Sequence, residues 1–286
     1  MKVTNKYNLP APMVAAIKNE QYVKRGDISV TKMIDSPQIS KLFKEHYNEI
    51  EEDVIDKVWA LFGTSVHSVI ERADEGNEDY LSEVPLEMEC NDWTLTGTAD
   101  LYDKKTKTLY DFKVTSAWKA MAKEPDSHWS WEAQLNTYAY MLRLKGYEVE
   151  KLRIIAILKD WNKREADRNF ETGKYPQKQV AEIALTMYSQ EGMEKYINKR
   201  IKLHQGVLNG EIEPHCSDRD RWSSKDTFAV MKTGGKRAKK VFDNEKEAND
   251  YLKIDGDFVE TRKGEPRRCK DYCSVSQWCE QYNSSK

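Results

Sequence analysis

Three charged side chains within one short stretch carry most of the chemistry this chain offers. From Gly97 to Val114 it reads GTADLYDKKTKTLYDFKV, placing Asp100 near the end of one run that alternates apolar and polar residues. Asp111 and Lys113 stand two apart on the next such run, Thr108–Val114. Alternation with a period of two predicts strands, and the charged Asp103-Lys104-Lys105-Thr106-Lys107 between them reads as a hairpin turn. Residues i and i+2 of a strand share a face, so Asp111 and Lys113 point the same way and Phe112 is predicted to enter the core. Two carboxylates on adjacent strands repel unless a cation joins them, and such hard oxygen donors suit Mg²⁺ or Mn²⁺. An ammonium beside that ion can orient or help deprotonate an attacking water, or offset charge building on a phosphate. The outline is phosphodiester hydrolysis. A solvated strand face carries the same residue types without any function, so the neighbours of the triplet decide.

Those neighbours lie on predicted helices. His67 precedes the strands, with Glu71 one turn later on the same helical face. Its imidazole can serve as a further metal ligand with Glu71 supporting it, or be an ordinary surface histidine. Gln134 and Tyr138, also four apart, follow Lys113, and a glutamine amide can hold a phosphate oxygen or a bound water, or simply solvate a helix surface.

The elements expected to position these groups run in the order helix, three strands, helix, strand. Residues ~28–60 read as helical, interrupted at Ser36-Pro37, and a helix restarts at Gly63-Thr64-Ser65. Strands are predicted at about 81–90, 92–102 and 107–115, followed by a helix from Trp129 to Lys145 closed by Gly146. Leu152–Leu158 is an almost unbroken aliphatic run, as in a strand buried on both faces, and a strand near Val180–Met187 precedes a helix at Gln190–Leu208. The fold class is α/β, a mixed central sheet flanked by helices, with a core over 1–210 and a cysteine-containing unit over 211–286. Within that second unit, Phe228–Met231, a Gly234-Gly235 turn and Lys236–Phe242 predict a hairpin, followed by a helix at Glu245–Lys253. Its Lys/Arg cluster could grip a phosphate backbone or be a solvated charged hairpin. Trp118, Trp129 and Trp131, beside Lys119 and Lys123, are the better candidates for stacking on a single strand.

Of the 286 residues 33% are charged, yet the formal net charge is only −2, so a globally basic nucleic-acid binder is not indicated. No apolar run approaches the roughly 20 residues that span a bilayer, and the first twenty residues lack a signal-peptide core; an intracellular, cytoplasmic protein with no membrane partner is expected. In a reducing compartment the five cysteines point to metal ligation or buried thiols rather than disulfides. Cys269, Cys273 and Cys279 fall in one short segment and Cys216 can be a fourth; four thiolates can hold Zn²⁺ or an iron–sulfur cluster, and spacing does not separate the two. Cys90 competes for the fourth place, but its strand context fits a buried thiol, and His215 is a minor alternative.

Taken together, G-x-x-x-His67, G-T-A-Asp100, Asp111-Phe112-Lys113 and Gln134-L-N-T-Tyr138 resemble the PD-(D/E)xK nuclease superfamily in that family's order, over residues ~60–160. The resemblance is to the RecB-like exonuclease branch, which includes AddB/RecB nuclease domains and the nucleases of CRISPR spacer acquisition, and it suggests a phage or prokaryotic member, in the host cytoplasm if phage-encoded. It implies a restriction-endonuclease-like core and a Mg²⁺/Mn²⁺-dependent DNA exonuclease acting at DNA ends in recombination, repair or replication. It implies His67, Asp100, Asp111 and the Phe112 carbonyl as metal ligands, Lys113 acting on the nucleophilic water, and Gln134 with Tyr138 shaping the substrate site. The one mild departure is Asp111 where many members have Glu. The resemblance also implies a 4Fe-4S cluster, with structural Zn²⁺ as the alternative; relatives take their first cysteine from before the core, so Cys216 departs from the pattern. Another class of reading stays open, a catalytically silent or partner-dependent nucleic-acid-binding subunit of a recombination or replication complex.

Overall fold

A two-residue turn sets the register of the central sheet. Asn91 and Asp92 both adopt left-handed backbone (φ 49° and 60°), the geometry of a type I′ hairpin turn, and Cys90 pairs with Trp93 across it. The computed structural model describes residues 1–18, 25–73, 77–124, 126–252 and 256–284. The sheet has six strands: β1 (Ile28–Ser29), β2 (Tyr80–Cys90), β3 (Trp93–Asp103), β4 (Thr108–Thr115), β5 (Lys151–Leu158) and β6 (Val180–Leu185). They run in the order β1-β3-β4-β5-β6, with β2 also on β3. The β1–β3 and β4–β5 pairs are parallel and the rest antiparallel, so the sheet is mixed, as an α/β class with helices requires. On β5 the buried residues alternate, Leu152, Ile154, Ala156 and Leu158, so one face is fully covered and the other half-covered, where the aliphatic run predicts burial on both.

Three long helices flank this core: α1 (Val58–Ala73), α2 (Trp129–Leu144) and α3 (Gln190–Leu208). α2 is the most deeply buried, with Leu135, Tyr138, Ala139 and Leu142 against the sheet, and it stops at Gly146, whose φ of +89° suits only glycine without strain. On α3, Arg200 and His204 donate to carbonyls at the end of the Val30–Ile34 helix, at 2.9 Å and 3.1 Å to Met33 O. That clamp fixes the segment carrying Ser29 and Thr31.

Residues ~28–60 are helical over much of their length, as expected, but not throughout. They contain β1, the helices Val30–Ile34 and Pro37–Glu45, a strand at Glu51–Asp53 and a 3₁₀ turn at Val54–Lys57. The strand pairs in parallel with Lys2–Thr4, a partner 49 residues away that local patterning cannot reveal. α1 also runs unbroken through Gly63 rather than restarting there.

The chain divides into two compact units, Met1–Asp35 with Glu51–Ile212, and Ser36–Ile50 with Glu213–Lys286. Ser36–Ile50, which the sequence places with the first domain, groups with the second unit. Here the expected hairpin is the edge of a three-stranded antiparallel sheet, Lys240–Phe242, Thr227–Lys232 and Asp257–Arg262, whose last strand the sequence pattern does not reveal. The helix expected at Glu245–Lys253 spans Glu245–Asp250, and Lys253 lies outside the described residues. No helix among the described residues is long and apolar enough to cross a membrane.

Candidate active site

One edge of β3 is left open by its own neighbours. Along that edge Leu95 and Thr96 pair with β1, and Leu101–Asp103 pair with β4, leaving Gly97, Thr98, Ala99 and Asp100 between the two ladders. The register that joins Leu101 to Tyr110 would next join Asp100 to Asp111, but the ladder ends there. Instead the Phe112 N–H donates to Asp100 Oδ2 at 2.8 Å, so a carboxylate takes the place of a backbone carbonyl. The resulting cleft, about 650 Å³, is lined by Asp100, His67, Lys113, Gln134 and Tyr138, and across from them by Arg25, Ser29 and Thr31.

His67, on α1, brings Nδ1 to 3.4 Å from Asp100 Oδ2 and 3.8 Å from Glu83 Oε1. The second contact is an ion-pair distance, too long for a hydrogen bond. His67, Glu83 and Asp100 each offer one ligand atom within 4.8 Å of the others, the one such group among the described residues. Helical periodicity pairs His67 with Glu71 and gives no hint of Glu83; Glu71 is exposed and its place beside the histidine is taken by Glu83. The signal lies in the Asn91-Asp92 turn. Pairing Cys90 with Trp93 sets Ser82 against Leu101 and Val84 against Ala99, leaving Glu83 opposite Asp100. Glu83 is a left-handed residue (φ 47°), a strained conformation of the kind that gathers at functional sites.

Asp111 stands just outside that group and is the most buried acid of the site, 1% exposed. Neither of its carboxylate oxygens accepts an aligned hydrogen bond, although Lys113 Nζ lies 2.7 Å from Oδ2 as an ion pair. Lys113 also donates to Gln134 Oε1, and Gln134 Nε2 donates to the Tyr138 hydroxyl, both at 3.3 Å. Tyr138 is buried over Gly97, where any Cβ would come within 2.5 Å of its ring. The structure therefore brings Asp100, Asp111, Lys113, His67, Gln134 and Tyr138 together. Phe112 departs from expectation: it is half-buried, its ring edge-on to His67 at 6.3 Å rather than in the core.

Crowding of acids out of water shows in their proton affinities. Burial, then the charge of Asp111, pushes the Asp100 carboxyl up to about 7, against the pull of His67 and the Phe112 N–H. Burial likewise raises Asp111, opposed by Lys113. His67 is raised by the Glu83 carboxylate first, then by Asp100 and Asp111. The two aspartates need positive charge that the protein supplies only in part, and His67 is biased toward its cationic form by the acids around it.

The second unit gathers the four predicted cysteines. Cys216, Cys269, Cys273 and Cys279 line one small cavity of about 10 Å³ together with Gln38. Cys216 Sγ donates to Ser36 Oγ at 3.1 Å, and Gln38 Nε2 donates to Cys279 Sγ at 3.2 Å. Burial pushes the Cys216 thiol up to about 12 and raises Cys273 as well. No three of these sulfurs, among the described residues, come within 4.8 Å of one another. Cys90 lies in the other unit, buried beside Asn91 and Asn198, and His215 binds Gln281.

Comparison with known protein families finds no match, and comparison with curated proteins finds none either. Among solved structures the chain is similar to the crystal structure of SSO0001, with 17% identity over 73% of this chain and 88% of that one, at a TM-score of 0.45. It is also similar to a "Putative exonuclease" from Eubacterium rectale, with 14% identity over 70% of this chain and 74% of that one, at a TM-score of 0.35. At these values neither likeness bears on function.

Proposed function

We propose that the cleft is the centre of a divalent-metal-dependent deoxyribonuclease of the PD-(D/E)xK type, acting as an exonuclease at DNA ends. The observation that carries this reading is Asp111: a carboxylate sealed from water, with the Lys113 ammonium its one close cation, beside a histidine and two further acids. Burying an ionised carboxylate costs several kcal/mol even after relaxation, so such a group persists where a cation or a reaction uses it. The donors fit Mg²⁺ or Mn²⁺. His67, Glu83, Asp100 and Asp111 would hold the ion, with the Phe112 carbonyl as a further oxygen, and a bound ion supplies positive charge that polarises the scissile phosphodiester.

The chain's own residues do the rest. Asp111 and Gln134 hold the Lys113 ammonium in place, and Lys113 orients a water for in-line attack on phosphorus and offsets the charge that builds there. Tyr138, pinned over Gly97, fixes Gln134 and so the lysine. Arg25, Ser29 and Thr31 face the cleft as phosphate donors. The four cysteines would hold a 4Fe-4S cluster, with structural Zn²⁺ as the alternative; either would act as a structural staple, since hydrolysis moves no electrons.

The test is degradation of end-labelled linear DNA, single- and double-stranded, while Mg²⁺ or Mn²⁺ is titrated. Wild-type protein should release nucleotides from ends and spare covalently closed circles, and Asp111→Ala should release none from either. Undiminished cleavage by Asp111→Ala would remove the carboxylate cleft from the reaction.

A further inference from the structure

α1 carries the active-site histidine, yet none of its sixteen residues is buried. Trp59 is 58% exposed and Phe62 41%, their rings 6.3 Å apart on the turns that precede His67. Large exposed aromatic side chains contribute little to folding, and clustered ones mark a surface that binds something. Here the aromatic surface comes with cations. Lys159 Nζ lies 3.9 Å above the Trp59 ring. The Lys159 N–H donates to Thr115 O at 2.9 Å, at the end of the strand that carries Asp111 and Lys113. Thr115 is two residues beyond Lys113, about 7 Å along an extended strand. Next in the chain, Asp160 accepts from the Ala117 N–H at 2.7 Å, which anchors the turn presenting Trp118, 72% exposed.

We propose that Trp59, Phe62, Trp118 and Lys159 form a stacking platform for the unpaired bases of a single DNA strand, leading its backbone to Lys113. This rests on the nuclease reading for its direction, and on the platform's own chemistry for its ligand. A protein partner would be met by an apolar face; aromatic rings with an ammonium over them match a base with a phosphate beside it, charge and ring together. In a duplex the base faces are already stacked and unavailable to Trp59 or Trp118, so the platform selects unpaired strands. Of the tryptophans beside Lys119 and Lys123, Trp131 does not belong to it: it is buried, stacked on His128 at 4.7 Å.

The experiment separates the two readings by removing divalent metal. Binding of a dT oligonucleotide and of a duplex of equal length is measured in EDTA by fluorescence anisotropy, with tryptophan quenching as a second signal. Wild-type protein should prefer dT and lose tryptophan emission on binding it. Trp59→Ala and Trp118→Ala should each weaken dT about tenfold and leave duplex affinity unchanged. Lys159→Ala should lower the salt dependence by about one ion. Hydrolysis of bis(p-nitrophenyl) phosphate, too small to reach the platform, should be unaltered in all three. Equal dT affinity in wild type and both tryptophan variants, or a wild-type preference for duplex, overturns the platform even if the enzyme cleaves DNA. If wild-type protein cleaves nothing while the binding differences hold, the platform stands and the nuclease reading falls.

Discussion

Asp111 and Cys216 are both buried acids whose ionised forms are penalised by loss of water, yet one lies behind a cleft of about 650 Å³ and the other lines a cavity of about 10 Å³. Around Asp111 the donors are hard oxygens and an imidazole, drawn from α1, β2, β3 and β4. Around Cys216 the donors are sulfurs, and two side chains from Ser36–Ile50 hydrogen-bond them in place. Both sites are assembled from separated segments, so burial alone does not tell a reacting centre from a fastening. On the proposed reading, access and donor hardness do. The acid site meets its charge with one ammonium and one backbone N–H, whereas the cysteine site holds Cys216 and Cys279 by neutral hydrogen bonds.

The sharpest break of that comparison is Lys113→Ala. It should lower the rate of metal-dependent cleavage by about 10³-fold or more while the protein still binds Mn²⁺, because only transition-state stabilisation is removed; full activity would reduce the lysine to a counter-ion for Asp111. Next, Cys216→Ser or Cys279→Ser should strip iron or zinc from purified protein, read by elemental analysis and visible absorption, and lower the Tm. The same variants should not change the Mn²⁺ affinity of the cleft, and a loss there would merge the two sites into one. Glu83→Gln should weaken Mn²⁺ binding about 10- to 100-fold in a calorimetric titration.

A pH series sharpens the electrostatic half of the contrast. The Asp100 carboxyl is pushed up to about 7 in the folded protein, against 3.8 for a free aspartate side chain, so the folded state holds the extra proton between those limits. Stability of the metal-free protein then falls as pH rises through that window, by at most on the order of 4 kcal/mol from this group. Asp100→Asn should remove that fall, its Tm advantage over wild type growing from pH 5 to 8 and vanishing when Mg²⁺ is added. A flat difference across pH would mean that Asp100 is better solvated than its surroundings imply. The smallest effect belongs to Gly97→Ala, whose methyl would press the Tyr138 ring and destabilise by about 1–3 kcal/mol in thermal unfolding.

The Asp100, Asp111 and Lys113 triplet is legible in the sequence because its signal is local. Alternation around Asp111-Phe112-Lys113 gives a strand whatever the fold, and the four-residue spacing of Gln134 and Tyr138 gives a helical face. Glu83 is not legible in the same way, because its place depends on register, and register comes from a turn whose Asn91 and Asp92 look like a mere gap between strands. His67 illustrates the same limit: helical periodicity offers Glu71 as neighbour, but tertiary pairing across β2 and β3 supplies Glu83. The stretch at 28–60, expected to be helical, holds a strand that pairs with residues near the N-terminus, a contact no window of that length contains. Phe112 alternates as a strand residue should, but the layer it faces is the exposed helix α1, so alternation does not amount to burial.

Calorimetric titration of Mn²⁺ into wild-type protein and Asp111→Asn, with the cysteine site fully loaded in both, tests the central claim most directly. The account predicts saturable binding in wild type that is lost in Asp111→Asn, together with a higher metal-free Tm for the variant, since an uncharged amide relieves the buried carboxylate. Equal Mn²⁺ affinity in the two proteins would contradict the account.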